Sequence, residues 1–222
     1  MKKVYVALLN MDWVVAGLES NLYRWMGEKT NQYSFFFKPR REVPTDANRN
    51  HIVNDMLAGD YDYLAMFDSD TFPLVNPFGL LDYDKDVIGG VYFGWGEKGL
   101  RLHVYRQDPK SKEPLYLQYP IEARQGLMKV DAIGAGCIFI KRKVLEKIKN
   151  PFSYTYHDDG TLNLSDDTAF CHRCGQAGFE IYAHWDFVCS HYKIVDLFSV
   201  ARLVIEASKS GVPDLTIKDV VK

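Results

Sequence analysis

Nothing in this chain is apolar for long enough to cross a membrane, and no internal repeat or low-complexity tract appears. The start, Met1-Lys2-Lys3 and then an apolar run from Val4 to Val15, has the outline of a signal peptide. Asn10 and Asp12 break that run, and no small-residue cleavage site follows cleanly. A cytoplasmic location is the expectation, with the C-terminal helix the one segment suited to dock on a surface. Cysteine is scarce: Cys137, Cys171, Cys174 and Cys189. Cys171-His172-Arg173-Cys174 has CxxC spacing but no second pair, so a structural zinc site would lack ligands and a reduced, structural set is expected. Charge of either sign is not in excess either. The net charge of −2 excludes a global pull toward nucleic acid or acidic membranes. The basic clusters Lys38-Pro39-Arg40-Arg41 and Lys141-Arg142-Lys143 are short enough to be solvated faces, and a local polyanion site stays open.

What is present is an ordinary globular composition, 47% hydrophobic and 25% charged over 222 residues. That length fits one domain, or one with a small appendage. Residues 3–9 read as a buried strand, and Leu18, Leu22 and Trp25 recur at helical spacing until Gly27 stops the helix. Tyr33–Phe37 reads as a second strand. Pro44-Thr45-Asp46 opens a helix with Thr45 as N-cap and Ile52, Val53, Met56 and Leu57 on its buried face. Val87–Phe93 is the next strand but one, its glycines marking a close backbone approach. Residues 100–118 alternate weakly and predict a hairpin or variable loop region outside the core. Lys129–Ile140 is strand-like, with Gly134-Ala135-Gly136 implying a bend or close approach. A short helix covers 142–148. Ser165 caps another that carries Asp166 and Asp167 in its first turn and Gly178 just past its end. Ile181–Ala183 and Phe187–Cys189 read as brief strands. Ile194, Leu197, Phe198, Ala201, Val204 and Ile205 mark a long amphipathic helix. Alternating strands and helices predict an α/β fold with a largely parallel sheet.

Residues 61–73, Tyr-Asp-Tyr-Leu-Ala-Met-Phe-Asp-Ser-Asp-Thr-Phe-Pro, are the most informative stretch. The apolar run Leu64–Phe67 ends in Asp68 and Asp70, as a buried strand does when it delivers carboxylates to the carboxyl edge of a sheet, where α/β folds bind ligands. Two hard oxygen donors one residue apart suit Mg²⁺ or Mn²⁺ carrying a phosphate. The same Asp-Ser-Asp also serves as a plain polar turn, so the motif alone leaves both readings open.

Arg49-Asn50 on a helix, Asp68-Ser69-Asp70 at a strand end, Gly134-Ala135-Gly136, Ser165-Asp166-Asp167 and then His191 stand in chain order. Together this set resembles the GT-A-type glycosyltransferases of the family 2-like kind, over residues 2–193. The resemblance implies a GT-A-like α/β/α sandwich with a mostly parallel mixed central sheet, residues 1–193, followed by a C-terminal amphipathic helix, 194–222. It implies a metal-dependent transfer of a sugar from a nucleotide-diphosphate sugar to an acceptor hydroxyl, with inversion. Asp70 would ligate Mn²⁺ or Mg²⁺ directly, Asp68 would touch the ribose or the metal through water, and His191 would complete the metal shell. Lys193 would reach the diphosphate, and Arg49 would face the nucleotide or, equally, make a surface salt bridge. Asp167 would be the general base. Asp166 stands where the family has Glu, and its supporting role is open. The backbone of Gly134 and Gly136 would line the sugar or acceptor pocket. The acceptor could be a saccharide, a lipid-linked sugar, a protein or a modified nucleic-acid base, with specificity sought in 96–128 and 151–164. Trp95 could stack on a sugar or anchor a loop. His172 and His184 read as structural.

A second resemblance competes. Phe67-Asp68-Ser69-Asp70-Thr71 is similar to the nucleophile motif of haloacid-dehalogenase-like phosphatases, which would make Asp68 a nucleophile. In that family the motif usually follows the first strand, whereas here a strand-helix-strand-helix unit precedes it. An inert nucleotide- or glycan-binding relative is the non-enzymatic alternative.

Overall fold

The computed structural model describes residues 1–9, 13–96, 99–111, 113–119, 126–194 and 196–209. The first elements are β1 (Lys2–Leu9), α1 (Leu18–Gly27), β2 (Tyr33–Arg40), α2 (Thr45–Ala58), β3 (Tyr63–Asp68) and β4 (Thr71–Pro73). A 3-10 helix (Pro77–Tyr83), β5 (Val87–Val91), β6 (Phe93–Gly96), β7 (Gly99–Leu102), β8 (Val104–Gln107) and β9 (Tyr116–Gln118) follow. Then come β10 (Leu127–Val130), β11 (Ala132–Ile133), β12 (Cys137–Lys141) and α3 (Arg142–Lys147). The last are β13 (Thr155–Tyr156), β14 (Leu162–Leu164), α4 (Asp166–Gln176), β15 (Ile181–His191) and α5 (Leu197–Lys209).

The central sheet has eight strands in the order β10-β15-β5-β12-β3-β1-β2, with β4 paired to β15. β2, β1, β3, β5 and β15 run one way, while β12, β10 and β4 run against them. This is an α/β sandwich with a mostly parallel mixed central sheet, as expected above. Strand alternation builds its two cores. In β1, Tyr5, Ala7 and Leu9 face the layer of α2, α3 and α4. Val4, Val6 and Leu8 face α1 and the 3-10 helix. β3 divides its residues the same way, Leu64 and Met66 against Tyr63, Ala65 and Phe67. Such a doubly covered strand is apolar at every position, which is why both runs are legible without alternation.

The chain forms two units, Met1–Tyr192 and Lys193–Lys222. The second contains α5. No helix among the described residues is long and apolar enough to cross a membrane. Asn10 and Asp12, read above as interrupting the N-terminal run, lie outside the described residues, as do Met11 and parts of 96–128.

Several boundaries differ from the sequence reading. α2 starts at Thr45 itself, with Pro44 at the N-cap position and no side-chain cap bond, because proline's fixed φ already suits a helix start. The strand expected over Val87–Phe93 breaks at Tyr92, and β6 leaves to pair with β7. Leu102, Val104 and Tyr105 are buried in the core, although the alternation there was weak, because β8 pairs with β11 under α4. The two brief strands after Gly178 are one, β15, with a register shift between His184 and Val188. Ser165 occupies the N-cap position of α4 but makes no side-chain cap bond, its hydroxyl meeting the Asp167 and Thr168 side chains instead. Gly178 takes a left-handed φ of 82° just past the C-terminal end.

Gly90 shows what the glycines of β5 are for. A Cβ there would stand 2.6 Å from the Phe187 carbonyl oxygen, a backbone atom that cannot swing aside. Gly90→Ala is therefore expected to cost about 1–3 kcal/mol and lower the thermal midpoint by roughly 3–10 °C. A melt within 1 °C of the parent would show that β15 yields freely at Phe187.

Candidate active site

The site forms where β3 ends. Asp68 N–H donates to the Gly136 carbonyl at 3.0 Å, and Ser69 N–H to the Leu9 carbonyl at 2.9 Å, so the turn is tied to both flanking strands. The chain then reverses into β4, whose Thr71 pairs with His191 and Phe72 with Ser190. Tyr192 N–H donates to the Asp70 carbonyl at 2.8 Å. This return of β4 along the end of β15 brings Asp70 to His191 across more than a hundred residues of sequence.

Asp70 Oδ2 lies 3.4 Å from His191 Nε2, and both side chains are largely buried. His191 Nδ1–H donates to the Phe93 carbonyl at 2.9 Å. In the neutral ring that bond leaves the Nε2 lone pair facing a carboxylate. Two electron-pair donors turned on each other at this separation are the donor types that would hold a hard divalent cation. A backbone carbonyl holding the far nitrogen is the usual way a protein orients a metal-binding histidine. Among the described residues no group of three His, Cys, Asp or Glu side chains comes together as a metal site. The expected trio is thus a pair, and Mg²⁺-type sites do take few protein ligands and complete their shell with phosphates and water.

Asp68, the third expected ligand, is held by Arg49. Arg49 Nη2 donates to Asp68 Oδ1 at 2.8 Å and Oδ2 at 2.9 Å, and Nη1 donates to Asp166 Oδ2. The guanidinium is almost wholly buried and lies over the Phe152 ring, 5.8 Å from its centroid. Arg49 is therefore neither a surface ion pair nor open to solvent. It ties the Asp68 strand end to the start of α4. Burial works to lower its pKa, and the charges of Asp68, Asp166 and Asp167 more than reverse that, so it is held charged. Burial pushes the Asp166 carboxyl above the usual range, and Arg49 offsets this only in part. Both Asp68 oxygens being held suits a carboxylate kept in place better than one that must attack phosphorus. Asn50, the neighbour of Arg49, accepts from Phe152 N–H at 3.0 Å and fixes the loop before β13.

Asp167 is arranged differently. Thr168 N–H donates to its Oδ1 at 2.7 Å, and the hydroxyls of Ser165 and Thr168 also reach Oδ1. Oδ2 accepts no hydrogen bond among the described residues. One oxygen anchored and the other open is a serviceable geometry for taking up a proton.

Gly134 and Gly136 make room for protein atoms. A Cβ on Gly134 would strike the Tyr92 phenol, and one on Gly136 would lie 2.6 Å from Thr71 Oγ1 and 3.0 Å from the Tyr92 ring. Tyr92 fills the space that the glycines leave. Gly136 N–H donates to its hydroxyl at 2.9 Å. Its ring stacks on His103, centroids 4.9 Å apart, and meets His191 edge-on at 5.1 Å. Tyr92 and His103 carry no motif, and no signal in the sequence marked them. Trp95 is half exposed on the β6–β7 ribbon. His184 sits among the rings of Tyr83 and Phe187, and His172 Nδ1 shares a hydrogen bond of 3.1 Å with the Tyr116 hydroxyl. Lys193 belongs to the second unit. All four cysteines are free and buried.

No protein-family model and no curated protein matches the chain. Among solved structures it is similar to A197 from STIV, at 24% identity over 87% of both chains with a TM-score of 0.56, which is a likeness of fold. A nucleoside-diphosphate-sugar pyrophosphorylase from Vibrio cholerae RC9 aligns at 14% identity, covering 83% of this chain and 72% of that one, TM-score 0.41. A mutant Drosophila β-1,4-galactosyltransferase 7 in complex with manganese, UDP-Gal and xylobiose aligns at 15%, covering 91% and 80%, TM-score 0.44. At these levels the likenesses assign no residue a role.

Proposed function

We propose that this chain is a metal-dependent glycosyltransferase that moves a sugar from a nucleotide diphosphate to an acceptor hydroxyl. The observation that carries this reading is the pairing of Asp70 with the Nε2 face of His191 at the carboxyl end of β3. With it goes Asp167, which has one oxygen open and whose charge acts on Arg49, the residue that holds Asp68. Asp70 and His191 would hold Mn²⁺ or Mg²⁺. A cation held there would stabilise the charge that grows on the diphosphate as the glycosidic bond breaks. Arg49 keeps Asp68 at the strand end, within reach of a ribose or of metal-bound water. Asp167 Oδ2 takes the proton of the acceptor hydroxyl, while the Thr168 N–H and Ser165 hydroxyl keep the carboxylate from turning. Asp166, buried against Arg49, positions the start of α4. A base acting across the sugar from the diphosphate gives inversion.

Calorimetric titration with UDP, GDP, CDP and dTDP, each with Mn²⁺ and again with EDTA, tests the reading. One diphosphate is expected to bind only with metal. Asp70→Ala is expected to weaken that binding by about 100-fold or more, since even the loss of a ligand's supporting hydrogen bond costs about 10–100-fold. Binding that is unchanged by EDTA, or by Asp70→Ala, would rule out the metal assignment. Turnover of a phosphomonoester with beryllium fluoride trapped on Asp68 would favour the phosphatase reading instead.

A further inference from the structure

Tyr92 is a buried polar group that the proposed chemistry leaves unused. Only 4% of it is exposed, and three independent features fix its ring. His103 covers one face, His191 abuts it edge-on, and the missing side chains of Gly134 and Gly136 admit its phenol end. Its hydroxyl accepts the Gly136 N–H at 2.9 Å. A phenol can accept and donate at once, and no acceptor for the Tyr92 proton stands within hydrogen-bonding reach among the described residues. A buried donor left without a partner costs stability, so a site that keeps one has a use for it. Gly136, which orients the oxygen, also accepts the Asp68 N–H, so the hydroxyl lies at the strand end that carries Asp68 and Asp70.

We infer that the Tyr92 hydroxyl is a specificity-determining group that donates its proton to a hydroxyl of the donor sugar. This rests on the transferase reading, which puts the diphosphate at Asp70 and His191 and the acceptor at Asp167, and therefore the transferred sugar between them. The Gly136 N–H sets the rotation of the phenol oxygen, and the stacked His103 prevents the ring from tilting away. A sugar that presents an oxygen to this hydroxyl is thereby preferred.

The test is calorimetry of the parent protein and Tyr92→Phe with Mn²⁺ and four probes: UDP, UDP-glucose, GDP and GDP-mannose. Phenylalanine keeps the ring packing and removes only the hydroxyl. Tyr92→Phe is expected to bind the diphosphates within twofold of the parent and the preferred sugar nucleotide about three- to tenfold more weakly, the effect of one neutral hydrogen bond. Equal loss for diphosphate and sugar nucleotide would place the phenol on a phosphate or in a purely structural role, and no loss would remove it from the site. Either overturns the inference and leaves the transferase reading standing. If the parent gains no affinity from any sugar, the inference falls as well. If the parent binds none of the four probes, the transferase reading falls with it. Should Tyr92→Phe lose its fold, the parent is titrated with monodeoxy analogues of the sugar nucleotide. One of them must lose the same three- to tenfold, and full affinity for all of them overturns the inference.

Discussion

Arg49→Met is expected to cost about 3–5 kcal/mol of folding stability at neutral pH, the usual penalty for removing one partner of a buried ion pair. Methionine fills much of the same volume, so the loss comes from charge. Asp166, nearly inaccessible, and Asp68, a quarter exposed on its side chain, are then left facing each other with no cation between them. Most of the cost falls on Asp166, because water still reaches Asp68. For a domain of this size the thermal midpoint should drop by roughly 6–20 °C.

The pH dependence has a definite sign. Burial already holds the folded-state pKa of Asp166 above the unfolded carboxylate value, so its contribution to stability is fully present below that value and is lost as pH rises through the folded pKa. Taking away Arg49 removes the influence that lowers this pKa, so the losing range extends upward. The deficit of the variant should be greatest near neutral pH and shrink on acidification toward the ordinary carboxylate range. Urea unfolding of parent and variant at a series of pH values reads this directly. A deficit independent of pH would mean that Arg49 stabilises through packing on Phe152 and not through its carboxylates.

Asp167→Asn should leave the fold and the diphosphate affinity within about twofold while lowering the rate of sugar transfer by about 10²–10⁴, the range for losing a general base. Asparagine can keep the anchored oxygen, because its amide carbonyl still accepts the Thr168 N–H that now ends on Oδ1. What disappears is the basic oxygen on the other side. The change also removes a negative charge from the first turn of α4, worth about 0.3–1 kcal/mol, so a slightly lower melting point is expected and does not decide the matter. Single-turnover transfer, measured with donor prebound, separates chemistry from binding. Transfer at the parent rate would show that another group takes the proton.

The sequence by itself determined the strands that are buried on both faces, where α4 starts and stops, and the position of Asp68 and Asp70 at a strand end. Each of these is a local property. β1 from Val4 to Leu9 and β3 from Tyr63 to Phe67 are apolar throughout because helices cover both sides, and Ser165 and Gly178 stand at the two ends of α4. The fold class followed from the order of such elements. Only the tertiary structure decided what the polar residues do. Arg49 finds Asp166 117 residues away, and whether a basic residue meets solvent, a nucleotide or two buried carboxylates depends on how α2 and α4 pack over the sheet. Asp70 meets His191 because β4 folds back along β15, a pairing between segments with no mark of each other in composition or period. The division of labour between Asp166 and Asp167 was also invisible, since adjacent residues at a helix start point in different directions, one inward to Arg49 and one anchored by Thr168. Leu102, Val104 and Tyr105 became core for the same reason, their burial being supplied by α4 and β11 and not by their own pattern. Hydrophobic periodicity reports the surroundings of a strand only when those surroundings repeat along it. A functional site, assembled once from distant turns and strand ends, has no period to report.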